Sequence, residues 1–115
     1  MSQDIWSMVT IRNGVPEVTV QWVANNAGAF RLVDVREPSE LTGPLGRLDD
    51  AENVPLRELA ATVASWDRAQ PVAVFCRSGG RSGMAATTLV QLGFKQVASM
   101  AGGMLEWHAH SMPVL

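Results

Sequence analysis

Three short hydrophobic runs are the clearest pattern in the chain. They are RLVDV at 31–35, PVAVF at 71–75 and QVASM at 96–100, the last of them following the turn signal Gly93. The first two runs place apolar residues on both faces of an extended chain, which is typical of strands buried inside a parallel sheet. We therefore predict three buried strands.

Helix-like spacing of apolar residues separates these runs. It predicts helices over 20–26, 56–66 and 83–92, in which apolar side chains recur every three or four residues. Thr19 fits the N-cap of the first helix, and Gly93 fits a C-terminal stop for the third. Strands that alternate with helices predict an α/β domain with a mostly parallel sheet.

The N-terminal region is less regular. Within 8–20, the Asn-Gly pair at 13–14 is a strong signal for a tight hairpin, while Pro16 favours an edge strand for the second arm. We therefore divide the chain into an N-terminal extension, 1–16, which is either an edge hairpin or a flexible tail, and a single domain, 17–115.

Composition narrows the possible functions. The 115 residues are 47% hydrophobic and 17% charged with a net charge of −2, values typical of one globular domain. The nine lysines and arginines are scattered, which argues against a nucleic-acid platform. No run approaches the ~20 apolar residues of a membrane span, and the N-terminus lacks a signal-peptide pattern. We expect a cytoplasmic protein that binds neither nucleic acid nor membrane.

Metal and cofactor sites are not indicated. A single cysteine allows no internal disulfide, and in the cytosol it would remain a thiol. His108 and His110 lie two residues apart without cysteine or carboxylate partners at a recognisable spacing, so they do not predict a zinc site. We expect no metal and no cofactor.

Candidate chemistry gathers around that cysteine. Cys76 ends the strand at 71–75 and opens the loop CRSGGRS at 76–82, in which two adjacent glycines give the backbone unusual freedom. Inward-turned N–H groups and a helix N-terminus would form an anion site and favour the thiolate. A lone cysteine is often a small buried hydrophobe. Its combination with Arg77 and Arg81 favours a reactive nucleophile.

The same loop is one of five segments with a familiar pattern. The segments are CRSGGRS (76–82), LVDVREPSE (32–40), AENVPL (51–56), LGFKQV (92–97) and AGGMLEWHAHSMPV (101–114). With these segments in this order, the chain after about residue 17 resembles the rhodanese family, specifically its single-domain sulfurtransferases. The resemblance implies a central, mostly parallel sheet of about five strands flanked by helices, with a catalytic cysteine on the loop.

The resemblance also implies a reaction. Cys76 would take the outer sulfur of a donor such as thiosulfate, hold it as a persulfide, and pass it to cyanide or a thiol. The acceptor thiol could belong to a thioredoxin-like protein or another sulfur-relay protein. Asp34 and Arg36 would support the loop, Arg77 would contact the donor and Arg81 would close the loop. The persulfide cradle would comprise Arg77, Ser78, Gly79, Gly80, Arg81 and Ser82.

Two other functions remain open. Cysteine phosphatases and arsenate reductases separate their cysteine and arginine by five residues, whereas four residues separate Cys76 from Arg81, a smaller cradle that suits a single sulfur. Asp49 and Asp50 could be proposed as a phosphatase acid, but no pattern positions them beside Cys76. The second alternative is a non-catalytic binding module, against which the intact Cys76 loop argues, or a sulfur-relay module, with which the loop is compatible and which differs only in the acceptor.

One segment departs from the family. Before AENVPL the family typically has Gly-His-Ile-Pro-Gly-Ala, whereas this chain has GPLGRLDD and no histidine. The segment 41–55 shows no clear period and is predicted to be a loop. It would alter one wall of the site, and with it the choice of donor.

Overall fold

A six-stranded sheet, parallel except for one hairpin, forms the centre of the molecule. The computed structural model describes residues 4–115. The strand order is β1-β2-β6-β5-β3-β4, and only β1 and β2 pair antiparallel. The predicted mostly parallel α/β fold is confirmed, with six strands instead of about five. The strands are β1 (Thr10–Arg12), β2 (Val15–Val18), β3 (Arg31–Asp34), β4 (Glu52–Asn53), β5 (Val72–Phe75) and β6 (Val97–Met100).

Helices cover both faces of the sheet. They are α1 (Val20–Asn25), α2 (Leu59–Val63), α3 (Gly80–Gln91) and α4 (Gly103–Ala109), with 3-10 turns at Ile5–Met8, Pro38–Thr42 and Leu56–Glu58. α1 and α4 pack together on one face, and α2 and α3 pack together on the other. Within residues 4–115, none of these helices is long and apolar enough to cross a membrane.

The central strand β5 shows why the predicted strands lack a polar face. Ala73 and Phe75 point into the core beneath α1 and α4, whereas Val72 and Val74 point into the core beneath α2 and α3. All four are fully buried. The strand period of two continues to Cys76, which therefore lies on the α2 and α3 side of the sheet.

The predicted helices are found with changed ends. Thr19 caps α1 as predicted, since its hydroxyl accepts a hydrogen bond from Trp22 N at 3.0 Å. The segment 56–66 is a 3-10 turn followed by the short α2, and the Arg68 guanidinium donates to the carbonyls of Val63 and Trp66 beyond the end of α2. The predicted third helix is α3, which begins at Gly80 rather than at residue 83. The sequence pattern did not predict α4 as a helix.

The N-terminal hairpin lies at one edge of the sheet. β1 and β2 flank Asn13 and Gly14, both with positive φ, as a two-residue turn requires. The prediction of an edge strand for the second arm was wrong, because β2 lies between β1 and β6. Pro16 is tolerated there since the pairing of β2 with β6 begins only at Glu17. The division after residue 16 falls inside β2 and stays a prediction, and residues 1–3 lie outside the described part.

The segment 41–55 is mostly irregular, as predicted, but contains one missed element. Glu52–Asn53 forms β4, which pairs in parallel with Val33 and Asp34. Two residues are too few to give a periodic signal. The Asn53 side-chain amide donates to the carbonyls of Asp34 and Arg36, so this strand is fixed by its side chain as well as by its backbone.

Candidate active site

Cys76 lies where the carboxyl end of β5 meets the amino end of α3. Its Sγ accepts hydrogen bonds from Gly79 N at 3.1 Å and from Ser82 N at 3.3 Å, and only 1% of the residue is exposed. The loop can turn this tightly because Gly79 has φ of +108°. The N–H groups of Gly80 and Arg81, in the first turn of α3, have no backbone acceptor among the described residues. The structure thus brings the predicted loop together around the sulfur.

The environment of Cys76 favours the thiolate. Burial raises the pKa of the thiol, but hydrogen bonds from the Ser82 hydroxyl and from the N–H groups of Ser82, Gly79 and Ser78 lower it by more. The net result is a pKa below that of an ordinary cysteine. Donors directed at a charged sulfur are what a nucleophilic cysteine requires.

The lowered pKa predicts a measurable pH profile for alkylation of Cys76. The reaction with iodoacetamide depends on the thiolate, so the rate is expected to fall only as the pH drops through the lowered pKa and to be constant above it. The midpoint is expected below that of an unperturbed cysteine, because the hydrogen bonds to the sulfur lower the pKa of Cys76. A cysteine-containing peptide alkylated in parallel is the control. A midpoint equal to that of the peptide would contradict the hydrogen-bonded site.

Arg81 forms an ion pair with an acidic residue that the sequence did not single out. Its guanidinium donates to both oxygens of the Glu40 carboxylate, at 2.6 and 2.9 Å. The hydrogen bond from Arg81 lowers the pKa of Glu40 to about 2. Glu40 lies in a predicted family segment, 32–40, but its role depends on a contact 41 positions away in sequence, which no local pattern reveals.

Arg77 has the opposite environment. It is exposed and forms no side-chain hydrogen bond or ion pair within residues 4–115. Its own carbonyl accepts from Leu105 N at 3.0 Å, which holds the backbone next to Cys76 while leaving the guanidinium free. Of the two predicted loop arginines, Arg77 is therefore the one available to an anion arriving from solvent.

Asp34 and Arg36 form a buried ion pair rather than contacting Cys76. The Arg36 guanidinium donates to the Asp34 carboxylate at 2.8–3.0 Å, and the two side chains are 1% and 2% exposed. Arg36 also donates to Gly46 O at 2.9 Å and to Glu40 O at 3.5 Å. The pair thus holds the turn that carries Glu40, which in turn holds Arg81.

The start of α4 contacts the loop 76–82 from the other side. Met104 N donates to Cys76 O at 2.9 Å, and Leu105 N donates to Arg77 O at 3.0 Å. This close approach requires glycine at position 103, where φ is +56° and an added Cβ would collide with the carbonyl of Cys76 and lie 2.7 Å from Arg77 O. The Gly-Gly pair at 102–103 therefore lets the helix reach the loop backbone.

Gly103→Ala is expected to destabilise the protein and disturb the site. The left-handed conformation costs a side chain about 1–2 kcal/mol, and displacement of the loop backbone adds to it. We expect a lower urea midpoint and slower alkylation of Cys76. Gly28→Ala is the matched control, since φ is +92° there but nothing lies within 4 Å of the added Cβ. Equal effects of both changes on the alkylation rate would show that contact with the loop is unimportant.

The remaining sequence candidates lie away from the loop. Asp49 and Asp50 line a cavity of about 270 Å³ formed by α1, α4 and the C-terminal residues, and no residue of the loop 76–82 contributes to it. His108 bonds through Nε2 to Leu45 O, and His110 lies between Gln21 and Glu106. Neither aspartate proposed as a phosphatase acid is therefore brought to Cys76.

Ser99 is a site residue that the sequence analysis missed. Its Oγ lies 2.8 Å from Ser82 Oγ, and both serines are buried. The only signal in the sequence is a polar residue inside the apolar strand β6. A serine at this position is easily read as a small core residue. Only the fold shows that it lies beside Ser82, which hydrogen-bonds the sulfur of Cys76.

A family model and two named relatives are similar to this chain. The family model described as Rhodanese-like domain matches residues 19–110. A sulfurtransferase of Allochromatium vinosum is 32% identical over 84 residues, covering 73% of this chain and 77% of that protein. A thiosulfate sulfurtransferase of Shewanella oneidensis is 33% identical over 82 residues, covering 71% and 79%.

A solved structure and a further relative are also similar to this chain. A solved structure of a rhodanese-related protein from Thermoplasma volcanium superposes with a TM-score of 0.77 at 31% identity, covering 86% of this chain and 96% of that one. A putative sulfur carrier protein of Bacillus subtilis is 26% identical over 98 residues, covering 83% of this chain and 52% of that protein. Relatives thus include proteins named for sulfur transfer and for sulfur carriage.

Proposed function

This chain belongs to the rhodanese-like domain family, and from that premise we propose that it transfers sulfane sulfur through a persulfide on Cys76. The observation that carries the proposal is the sulfur of Cys76 itself, held by the N–H groups of Gly79 and Ser82 at the start of α3. The names of two relatives, a sulfurtransferase and a thiosulfate sulfurtransferase, support the same reaction class.

The first half-reaction loads the cysteine. The Cys76 thiolate attacks the outer sulfur of thiosulfate, an S–S bond forms to Sγ, and the S–S bond of thiosulfate breaks. The electron pair of the broken bond leaves with sulfite. The exposed guanidinium of Arg77 suits contact with the anionic donor and the departing anion, because no described residue competes for its charge.

The second half-reaction unloads it. A nucleophilic acceptor, cyanide or a thiolate, attacks the outer sulfur, and the electron pair of the breaking S–S bond returns to Sγ as the thiolate. The outer sulfur of the persulfide can be held by the N–H groups of Gly80 and Arg81, which lack backbone acceptors within residues 4–115. Both half-reactions balance without a general acid of the kind a phosphatase uses.

The test of this proposal is the mass of the intact protein after incubation with thiosulfate. We expect a gain of one sulfur atom that dithiothreitol removes, and no gain after Cys76 is first blocked with iodoacetamide. The same sample is assayed with an aryl phosphate. Phosphate release without any sulfur gain, from thiosulfate or from an organic persulfide, would overturn the proposal in favour of a cysteine phosphatase.

The acceptor then distinguishes the two forms of sulfur transfer. The loaded protein is offered cyanide, glutathione or a reduced thioredoxin-like protein, and the loss of the added sulfur is followed by mass. Rapid unloading by the protein thiol alone would support a sulfur-relay role, in line with the relative named as a putative sulfur carrier. Unloading by all three acceptors would support a general sulfurtransferase.

A further inference from the structure

Two buried hydroxyls lie beside the reactive sulfur. Ser82 Oγ on α3 and Ser99 Oγ on β6 are 2.8 Å apart, and neither serine is more than 1% exposed. Ser82 Oγ also lies 3.6 Å from Cys76 Sγ and 3.3 Å from Gly79 O. Buried hydroxyls are almost always hydrogen-bonded, so the direction of each O–H bond in this group can be worked out from the available partners.

Only one direction of the hydrogen bond between Ser82 and Ser99 satisfies both hydroxyls. Within residues 4–115, Ser99 Oγ has a single hydrogen-bond partner, Ser82 Oγ. If Ser82 donated to Ser99, the hydrogen of Ser99 would have no acceptor and would be buried unpaired, which is costly. Ser99 must therefore donate to Ser82, and the hydrogen of Ser82 is left for the Cys76 sulfur or for Gly79 O.

We propose that Ser99 is a positioning residue that keeps the Ser82 hydroxyl as a donor to the Cys76 sulfur. In the thiol form, Cys76 S–H donates to Ser82 Oγ, and Ser82 donates to Gly79 O. When the thiol loses its proton to solvent, the Ser82 hydrogen turns to the thiolate. Ser99 donates to Ser82 in both forms, so only one hydrogen has to rotate.

This role explains why a hydroxyl occupies the centre of β6. The neighbours of Ser99 along the strand are Ala98 and Met100, and the strand is buried over its whole length. An apolar residue would fill this position without needing a partner. Serine is useful there because the hydrogen bond that it donates polarises the Ser82 O–H and strengthens its donation to the sulfur, and Ser82 is the one described side chain that hydrogen-bonds the sulfur.

Charged groups on the elements packed around the sulfur must stay constant in any test. They come from the catalytic loop, from α3, from the end of β3 with its following turn, and from α4, while β6 carries no charged side chain. Among the described residues, none of them hydrogen-bonds the Ser99 hydroxyl. They are Arg77, Arg81, Asp34, Arg36, Glu40 and Glu106.

The test measures ionisation of Cys76 by the pH dependence of its alkylation. Ser99→Ala is expected to raise the midpoint by about one pH unit, which lowers the thiolate fraction about tenfold below the midpoint. Ser99→Thr, which keeps the hydroxyl, is expected to restore a midpoint close to the original one. Val97→Ala, another truncation in β6, controls for loosened packing and is expected to leave the midpoint unchanged.

A double-variant cycle shows whether Ser99 acts through Ser82. Ser82→Ala is expected to raise the midpoint at least as much as Ser99→Ala, and the double variant no more than Ser82→Ala. An unchanged midpoint in folded Ser99→Ala would overturn the proposal. So would equal shifts in Ser99→Ala and Val97→Ala, or additive shifts in the double variant. If Ser99→Ala does not fold, a raised midpoint in folded Ser99→Thr would overturn it as well.

The inference rests on the proposed function, since it concerns the sulfur that would carry the persulfide. Alkylation requires no sulfur donor, so its outcome does not depend on the mass test with thiosulfate. If Ser99→Ala raises the alkylation midpoint as expected but the protein gains no sulfur, sulfur transfer is rejected and the positioning role is kept. If the protein gains sulfur but Ser99→Ala leaves the alkylation midpoint unchanged, sulfur transfer is kept and the positioning role is rejected.

Discussion

Cys76→Ser is expected to lose sulfur transfer by about three orders of magnitude or more relative to the original protein, the scale of loss seen when a nucleophile is removed. A serine hydroxyl is not ionised at neutral pH, and its oxygen cannot form the S–S bond of a persulfide. The side chains are similar in size, so the hydrogen bonds from Gly79 N and Ser82 N can be kept. The measurement is turnover of thiosulfate with cyanide, together with intact mass.

Two controls separate lost chemistry from lost structure. Cys76→Ser is expected to keep the unfolding midpoint close to that of the original chain, because the site is already polar on one side. Thr88→Ser, on the exposed side of α3, is expected to keep turnover. Sulfur transfer that survives in folded Cys76→Ser would contradict the persulfide mechanism, since Cys76 is the single cysteine of the chain.

The loop around Cys76 could be recognised from sequence as the candidate site because its residues are consecutive. Cys76 follows directly on an apolar strand, and the adjacent glycines mark the turn into a helix, so seven consecutive residues contain most of the site. The start of α3 was misplaced by three residues because glycine has low helix propensity. At the start of α3 the N–H groups of Gly79 and Ser82 donate to the sulfur, and helix propensity does not account for the stabilisation from these hydrogen bonds.

The residues missed by sequence reasoning depend on distant contacts. Glu40 meets Arg81 across 41 positions, and Ser99 meets Ser82 across 17. Each would be an unremarkable residue in its own segment. Their roles follow from the parallel order of β3, β5 and β6, which places the carboxyl ends of these three strands at the same end of the sheet. No local pattern encodes that order.

Arg36→Met is expected to destabilise the fold by about 3–5 kcal/mol, because it leaves the buried carboxylate of Asp34 without its counter-charge. The pair is nearly inaccessible to water, and the Arg36 guanidinium also holds the carbonyl of Gly46. The measurement is the free energy of unfolding from urea titration at constant m-value. Arg57→Met, at an exposed ion pair with Glu37, is the matched control and is expected to leave the midpoint unchanged.

A second variant tests the physical reason for this loss. If the cost comes from an unpaired buried charge, then Asp34→Asn combined with Arg36→Met should be more stable than Arg36→Met alone. The asparagine side chain would be neutral and could still accept from the backbone N–H of residue 36. A double variant that is less stable would show that packing of the long Arg36 side chain dominates.

The stabilised double variant also separates an effect on the fold from an effect on the site. Because Arg36 holds the turn that carries Glu40, and Glu40 binds Arg81, slower alkylation of Cys76 in the folded double variant is the result expected if the ion pair supports the loop.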